Sequence, residues 1–112
     1  MGIVFERVKD SLPVSGDDYD SQIVTQIKAA VLDLTRTAEI VLPGDVEISV
    51  SGTTVTDTST LTDELAITAI ATWCNMRIGN PPNYDNLLAA YNSLKGQLRL
   101  SKTYTTSEVT TE

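Results

Sequence analysis

Hydrophobic residues are most regularly spaced between Leu61 and Ser101, where the pattern predicts two helices. The first helix is apolar on two faces and has little polar surface. One face carries Leu61, Leu65, Ala69, Trp73 and Met76, and the other carries Ile67, Ile70, Cys74 and Ile78. A helix that is apolar nearly all round is buried, so this one is predicted to form the centre of the fold.

The second helix repeats apolar residues at steps of three and four along one face. That face comprises Leu87, Leu88, Tyr91, Leu94 and Leu98. A single apolar stripe predicts a surface helix that packs against the buried one. Between the two, residues 79–83 read Gly-Asn-Pro-Pro-Asn, which can cap one helix, stop it and start the next. The chain is expected to reverse there.

Two helices are predicted nearer the N-terminus. A short one from Ile3 to Leu12 is ended by Pro13 and Gly16, and residues 15–21 then supply a turn rich in helix-capping side chains. A long amphipathic helix follows to about Ile40, where Pro43-Gly44 ends it. Its apolar stripe comprises Ile23, Ile27, Ala30, Val31, Leu34 and Ala38.

The period changes to alternation between Asp45 and Thr60, which predicts a small β-hairpin turning at Ser51-Gly52. This register places Val50 opposite Thr53 and Ile48 opposite Val55, with the apolar residues on one side. A threonine-rich flexible loop is the alternative interpretation. Thr60, three residues before Asp63, is the predicted start signal of the buried helix.

These elements predict a mainly α fold of one domain, a small helical bundle with a hairpin-like loop between its first two main helices. At 112 residues the chain has room for one modest core. The domain is expected to span residues 1–100, with the loop at 41–60 protruding. Residues 101–112 are polar and β-branched without a helical stripe, so they are predicted to form an extended C-terminal arm that is disordered alone.

Charge and cysteine usage narrow the class of protein. With 8 Lys and Arg against 15 Asp and Glu, the formal net charge is -7, which repels nucleic-acid phosphates. The single cysteine, Cys74, permits no intrachain disulfide and is expected to be a core residue in a cytosolic fold. The chain has no sustained apolar run, so neither a signal peptide nor a membrane span is predicted, and no membrane partner is expected.

Catalytic chemistry is disfavoured because the chain has no histidine. Asp17, Asp18 and Asp20 suggest calcium, but Lys28 occupies the position where a calcium loop starting at Asp17 needs its bidentate glutamate. Helix capping explains these acids better. No catalytic residue, cofactor or metal is expected, and a small hydrolase or metal-dependent enzyme is the least favoured interpretation.

Candidate interface residues lie in the last helix and after it. Lys95, Arg99 and Lys102 either compensate the helix dipole or pair with acids on a neighbouring subunit. Tyr104 has little nearby to bury it and is a candidate anchor into a partner, whereas Trp73 and Tyr91 are predicted to be core residues.

The buried helix, the Gly79-Asn-Pro-Pro turn and the run from Leu88 to Tyr104 resemble the small head-to-tail connector (adaptor) proteins of long-tailed bacteriophages and prophages. The resemblance implies a structural, non-enzymatic virion protein, present in the host cytoplasm before assembly. It also implies a homo-oligomeric ring, expected to be a dodecamer, beneath the portal protein. Such a ring extends the DNA channel, lets DNA pass without sequence-specific binding, and docks the stopper or tail-completion protein.

A ring needs two different complementary surfaces on each subunit. In such a ring, acids at the start of one helix and bases at the end of another are expected to supply them, with the hairpin and the arm reaching other components. The candidate contact residues are Asp17, Asp18, Asp20, Glu47, Lys95, Arg99, Lys102 and Tyr104. A monomeric or dimeric helical adaptor that docks a single protein partner is the alternative function.

Overall fold

The computed structural model describes the backbone of residues 2–12, 16, 18–52, 54–78 and 82–111, and within these ranges the side chains up to residue 99. Within these ranges the structure contains four α-helices, one π-helical turn and one hairpin. They are α1 (Val4–Ser11), α2 (Asp20–Leu32), the π-turn (Asp33–Thr37), β1 (Ile48–Ser51), β2 (Thr54–Asp57), α3 (Glu64–Arg77) and α4 (Tyr84–Thr111). The predicted mainly α bundle with a hairpin is confirmed.

Helix α3 is the centre of the bundle, as its apolar pattern predicts. It packs against α1, α2 and α4. Its buried side chains are Ala66, Ile67, Ala69, Ile70, Ala71, Cys74 and Met76. Leu61, just before the helix, is fully buried, and Ile78 is buried at its end. The predicted turn residues Gly79, Asn80 and Pro81 lie outside the described residues.

Helix α4 packs against the core through its predicted apolar stripe, with one exception. Tyr91 and Leu98 are buried, and Leu87 and Leu94 pack partly buried against the core. Leu88 is 38% exposed, so its predicted place in the core is wrong. Adjacent residues in a helix point about 100° apart, and Leu87 takes the direction toward the core.

The start of α3 differs from the predicted capping pattern. Asp63 is the N-cap, and its carboxylate accepts a hydrogen bond from the Ala66 backbone N–H at 2.9 Å. The Thr60 hydroxyl instead accepts from the Asp45 backbone N–H at 2.8 Å. The extended chain between Thr60 and Asp63 places Leu61 in the core, and this burial moves the helix start three residues later.

The long second helix is irregular at its end. It is α-helical only to Leu32, and the π-turn follows, with the Ala38 N–H donating to the Asp33 carbonyl at 2.9 Å. Glu39 then has a φ of 55°, an unusual backbone conformation for a residue other than glycine. The predicted apolar stripe still faces the core beyond Leu32, because Leu34 and Ala38 are both buried.

The hairpin forms as predicted, but in a different register. Val50 pairs with Val55 and Ile48 with Asp57, whereas the sequence placed Val50 opposite Thr53, which lies outside the described residues, and Ile48 opposite Val55. The register differs by two residues, so each side chain keeps its predicted side of the pleat. Ile48 is buried and both valines pack against the core, so the interpretation as a flexible loop is wrong.

Asp57 joins the end of the hairpin to the start of α1. Its carboxylate accepts hydrogen bonds from the Phe5 and Ser59 backbone N–H groups, each at 2.9 Å. Its carbonyl accepts from the Gly2 N–H at 2.8 Å. A Cβ atom at Gly2 would collide with this carboxylate, so the close approach requires glycine. The N-terminal segment is thereby fixed to the strand that follows it by half the chain.

The backbone from 101 to 111 is helical, so the prediction of an extended arm is wrong in this respect. Neither proline nor glycine follows Gly96 in the chain. Serine, threonine and valine have only moderately lower helix propensity. An established helix can therefore continue through them even without an apolar stripe.

Candidate interaction surface

Asp33 and Tyr91 connect the π-turn to α4. The Tyr91 hydroxyl donates a hydrogen bond to the Asp33 carboxylate at 2.6 Å, while the tyrosine is only 2% exposed. Burial, reinforced by the hydrogen bond to Asp33, raises the pKa of Tyr91 well above its usual range. The hydroxyl therefore stays protonated and acts as a fixed donor.

Two cations on the same side of α4 extend this contact. The Lys95 ammonium lies 3.4 Å from the Asp33 carboxylate and 4.9 Å from the centre of the Tyr91 ring. One helical turn further, Arg99 Nε donates to the Ala38 carbonyl at 3.1 Å. Residues spaced by four share one face of a helix, so Tyr91, Lys95 and Arg99 hold α4 along the π-turn.

Trp73 and Arg77 form a second cationic contact at the end of α3. The Arg77 guanidinium carbon lies 4.2 Å from the centre of the Trp73 ring. That ring lies 5.4 Å from the Tyr91 ring, and its N–H donates to Gln26 Oε1 at 3.1 Å. Arg77 is exposed, and no carboxylate pairs with it among the residues that the structure describes.

Around helix α1 the exposed charges without an ion-pair partner among the described residues are negative instead. The two cations of α1 are used inside the chain: Arg7 pairs with Glu64 at 2.6 Å, and Lys9 pairs with Asp20 at 2.7 Å. Glu6, Asp10 and Asp18 are exposed and have no ion-pair partner in the described part of the chain. We call these three acids the acidic flank, and Arg77 with Arg99 the cationic flank.

The predicted interface residues are thus of three kinds. Asp20 is only 6% exposed and pairs with Lys9, and Lys95 is held by Asp33, so both are engaged within the subunit. Asp18, Glu47 and Arg99 are exposed, although Glu47 accepts a hydrogen bond from the Thr58 hydroxyl at 2.8 Å. The remaining predictions concern Asp17 and the side chains of Lys102 and Tyr104, which lie outside the described part of the structure.

Sequence reasoning missed three residues that organise these surfaces: Asp33, Asp57 and Arg77. Asp33 lies off the apolar stripe of the predicted helix, so the hydrophobic pattern assigns it no contact. Its partner Tyr91 carried a detectable signal, because a tyrosine predicted to be buried needs an acceptor for its hydroxyl. The sequence contains no comparable signal for Asp57 or Arg77, since their contacts depend on how distant segments pack.

Cys74 is a core residue whose thiol is held in the protonated form. It is fully buried in α3, and burial raises the pKa of its thiol to about 12. No group of three or more potential metal-ligating side chains occurs within the described ranges. Among the helices described, none has the length and apolar character needed to cross a membrane.

A helical bundle whose polar side chains serve capping, ion pairing and charged outer surfaces is the architecture of a structural or binding protein. The chain belongs to the phage connector protein family, whose sequence model matches residues 4–105. The resemblance to head-to-tail connectors is thereby confirmed, and the role of the chain is structural, at the junction of a phage head and tail. No curated protein and no solved structure matches the chain.

Proposed function

We propose that the protein forms a ring beneath the portal, joins the capsid to the tail and extends the DNA channel. The observation that carries this proposal is the family match, which covers nearly the whole chain. The virion is accordingly its proposed location after assembly. The proposed partners are further copies of the chain, the portal protein and the stopper or tail-completion protein.

The distribution of charge supports a ring. Subunits that close into a ring by rotation contact each other through two different surfaces. The acidic flank and the cationic flank are two such surfaces on one subunit. Among the described residues that the sequence suggested, Asp18, Glu47 and Arg99 have no ion-pair partner in the described part of the subunit, and Asp18 and Arg99 belong to these two flanks. Asp17 and Lys102 extend the proposed pairing, whereas Asp20 and Lys95 stabilise the subunit itself.

The remaining surfaces suit contacts above and below the ring. We assign the hairpin region 41–60, including Glu47, and the C-terminal segment 101–112, including Tyr104, to contacts with the portal, a neighbour or the next tail component. Residues 1–100 then form the body of the subunit. A net charge of -7 disfavours retention of DNA phosphates, so DNA would pass through without sequence-specific binding.

Image reconstruction of the portal vertex tests the proposal directly. We expect a closed ring of this chain between portal and tail, and native mass spectrometry of the isolated vertex should give the mass of a dodecamer. A pull-down with purified portal protein provides a biochemical counterpart. Recovery of one or two copies bound to a single partner would instead support a monomeric or dimeric adaptor, and absence from assembled particles would exclude the connector role.

A further inference from the structure

We infer that Asp10 and Asp18 of one subunit contact Arg77 of the next, which deepens the proposed ring and rests on it. The occupant of each surface is therefore a second copy of this chain. The three residues were not paired by the sequence pattern, which pointed to the end of α4 instead. Their position and their unsatisfied charge support the assignment.

The positions of the three residues fit a head-to-tail contact. Asn75 Nδ2 donates to the Ser11 carbonyl at 3.4 Å, which places the end of α1 beside the last turn of α3. The pair between Lys9 and Asp20 places the start of α2 at the same end of the bundle. Asp10, Asp18 and Arg77 therefore occupy one level along the bundle axis.

Asp10 and Arg77 lie on opposite sides of α3. Asn75 points toward α1, and Arg77, two residues later, points about 200° away around the helix. Arg77 lies instead over Trp73, whose ring contacts Tyr91 of α4. A rotation about an axis roughly parallel to α3 can thus bring the acidic flank of one copy against the arginine of its neighbour.

Asp10 is also placed where the isolated subunit does not favour an anion, whereas Asp18 lies just before the N-terminus of α2, where the helix dipole favours one. Glu6 and Asp10 are four residues apart on α1, a spacing at which like charges repel. Asp10 lies in the last turn of α1, where the helix dipole disfavours an anion. A cation from outside the subunit would relieve both effects. Arg77 is the complementary case, because its guanidinium is exposed and contacts an aromatic ring, and no carboxylate within the described ranges pairs with it.

Exposed apolar side chains accompany the charges at this end. Tyr19, beside Asp18, is 39% exposed, and Tyr84 and Leu88, at the start of α4, are 41% and 38% exposed. Tyrosines contribute strongly to interfaces because they combine apolar area with a polar tip. The inferred contact would cover Tyr19 with the start of the neighbouring α4.

Charge exchange in the full-length chain tests the contact. Arg77→Glu alone, and Asp10→Lys with Asp18→Lys, are each expected to raise the concentration needed for half-assembly about 10- to 100-fold, because each places like charges together. Combining all three substitutions restores opposite charges and should restore assembly. Arg77→Lys should assemble nearly as the wild type does. Assembly is measured by native mass spectrometry, alone and with purified portal protein.

Lys28→Glu is the matched control for Arg77→Glu, since it makes the same change in net charge at an exposed position of α2. Thermal unfolding checks that every variant is folded. A wild-type ring that the reversals leave intact, or that the combined variant fails to restore, would overturn the contact while the ring stands. A wild-type chain that stays monomeric with portal protein and within particles would overturn the ring and the contact together.

A crosslinking experiment gives an independent readout. In a chain carrying Asp18→Cys and Arg77→Cys, mild oxidation of rings should produce a ladder of disulfide-linked subunits, because each contact joins two different copies. Either single substitution should give no ladder, and buried Cys74 should not interfere. Oxidised rings of the double variant that run only as monomers on a non-reducing gel would contradict the contact.

Discussion

The Asp57 carboxylate accepts a hydrogen bond from the Phe5 backbone N–H at 2.9 Å, so a residue from β2 caps a helix that lies 52 positions earlier in the chain. Ile3, at the N-cap position of α1, makes no side-chain capping hydrogen bond. A helix of eight residues is marginal alone. Hairpin and α1 are therefore stabilised together, which also orients the acidic flank.

Removing this cap should loosen both elements. Asp57→Ala is expected to lower the free energy of unfolding by about 1–2 kcal/mol, the usual cost of losing an N-cap side chain. Urea unfolding measures the loss, and hydrogen exchange should show faster exchange in α1 and β2 together. Asp45→Ala is a control, because Asp45 is exposed and uses its backbone in the hydrogen bonds described for it. Equal losses in the two variants would contradict the capping role.

The hydrogen bond between Tyr91 and Asp33 should be a major stabiliser of the contact between the π-turn and α4. Tyr91→Phe keeps the ring and removes the donor, so we expect a loss of about 1.5–3 kcal/mol, as for hydrogen bonds to charged groups. Tyr84→Phe serves as the control, since Tyr84 is 41% exposed. Urea unfolding measures the loss of stability in both variants. A loss no larger in Tyr91→Phe than in Tyr84→Phe would contradict the stabilising role of the hydrogen bond.

Two glycines should respond to alanine with opposite signs. A Cβ at Gly44 would lie 2.7 Å from the Leu61 Cα atom, which is backbone and cannot move cheaply. Gly44→Ala is expected to destabilise by about 1–3 kcal/mol. A Cβ at Gly96 in α4 meets nothing within 4 Å, so Gly96→Ala should stabilise by about 0.5–1 kcal/mol. Thermal melts of the two variants test both signs, and a shift in the same direction would contradict the structure.

The sequence predicted most of the fold because burial follows hydrophobic spacing. The core face of α2 and the buried α3 follow directly from their apolar positions. The π-turn, the hairpin register and the capping of α1 by Asp57 could not be predicted, since each depends on contacts between distant segments. The charged surfaces could not be predicted either: Lys95 and Arg99 look alike along α4, yet of the two only Lys95 contacts a carboxylate among the residues that the structure describes.

Stability should decline in alkali through two buried groups. Burial raises the pKa of the Cys74 thiol from its ordinary value of 9.0 to about 12 in the folded chain. Above pH 9 the unfolded chain therefore releases this proton while the folded chain retains it, so the free energy of unfolding falls as pH rises from about 9 to about 12. The pKa of Tyr91 is also raised, from 10.0, so it adds to the decline above pH 10.

Urea unfolding at pH 8, 9, 10 and 11 measures this decline, and Cys74→Ala should flatten the part between pH 9 and pH 10. Thiol labelling at pH 8 gives a second measurement. Native protein should react with a disulfide reagent far more slowly than protein unfolded in concentrated urea, because the thiolate is scarce and the sulfur is buried. A decline of equal slope in Cys74→Ala, or labelling of the native thiol at the unfolded rate, would contradict the burial of Cys74 at the centre of α3.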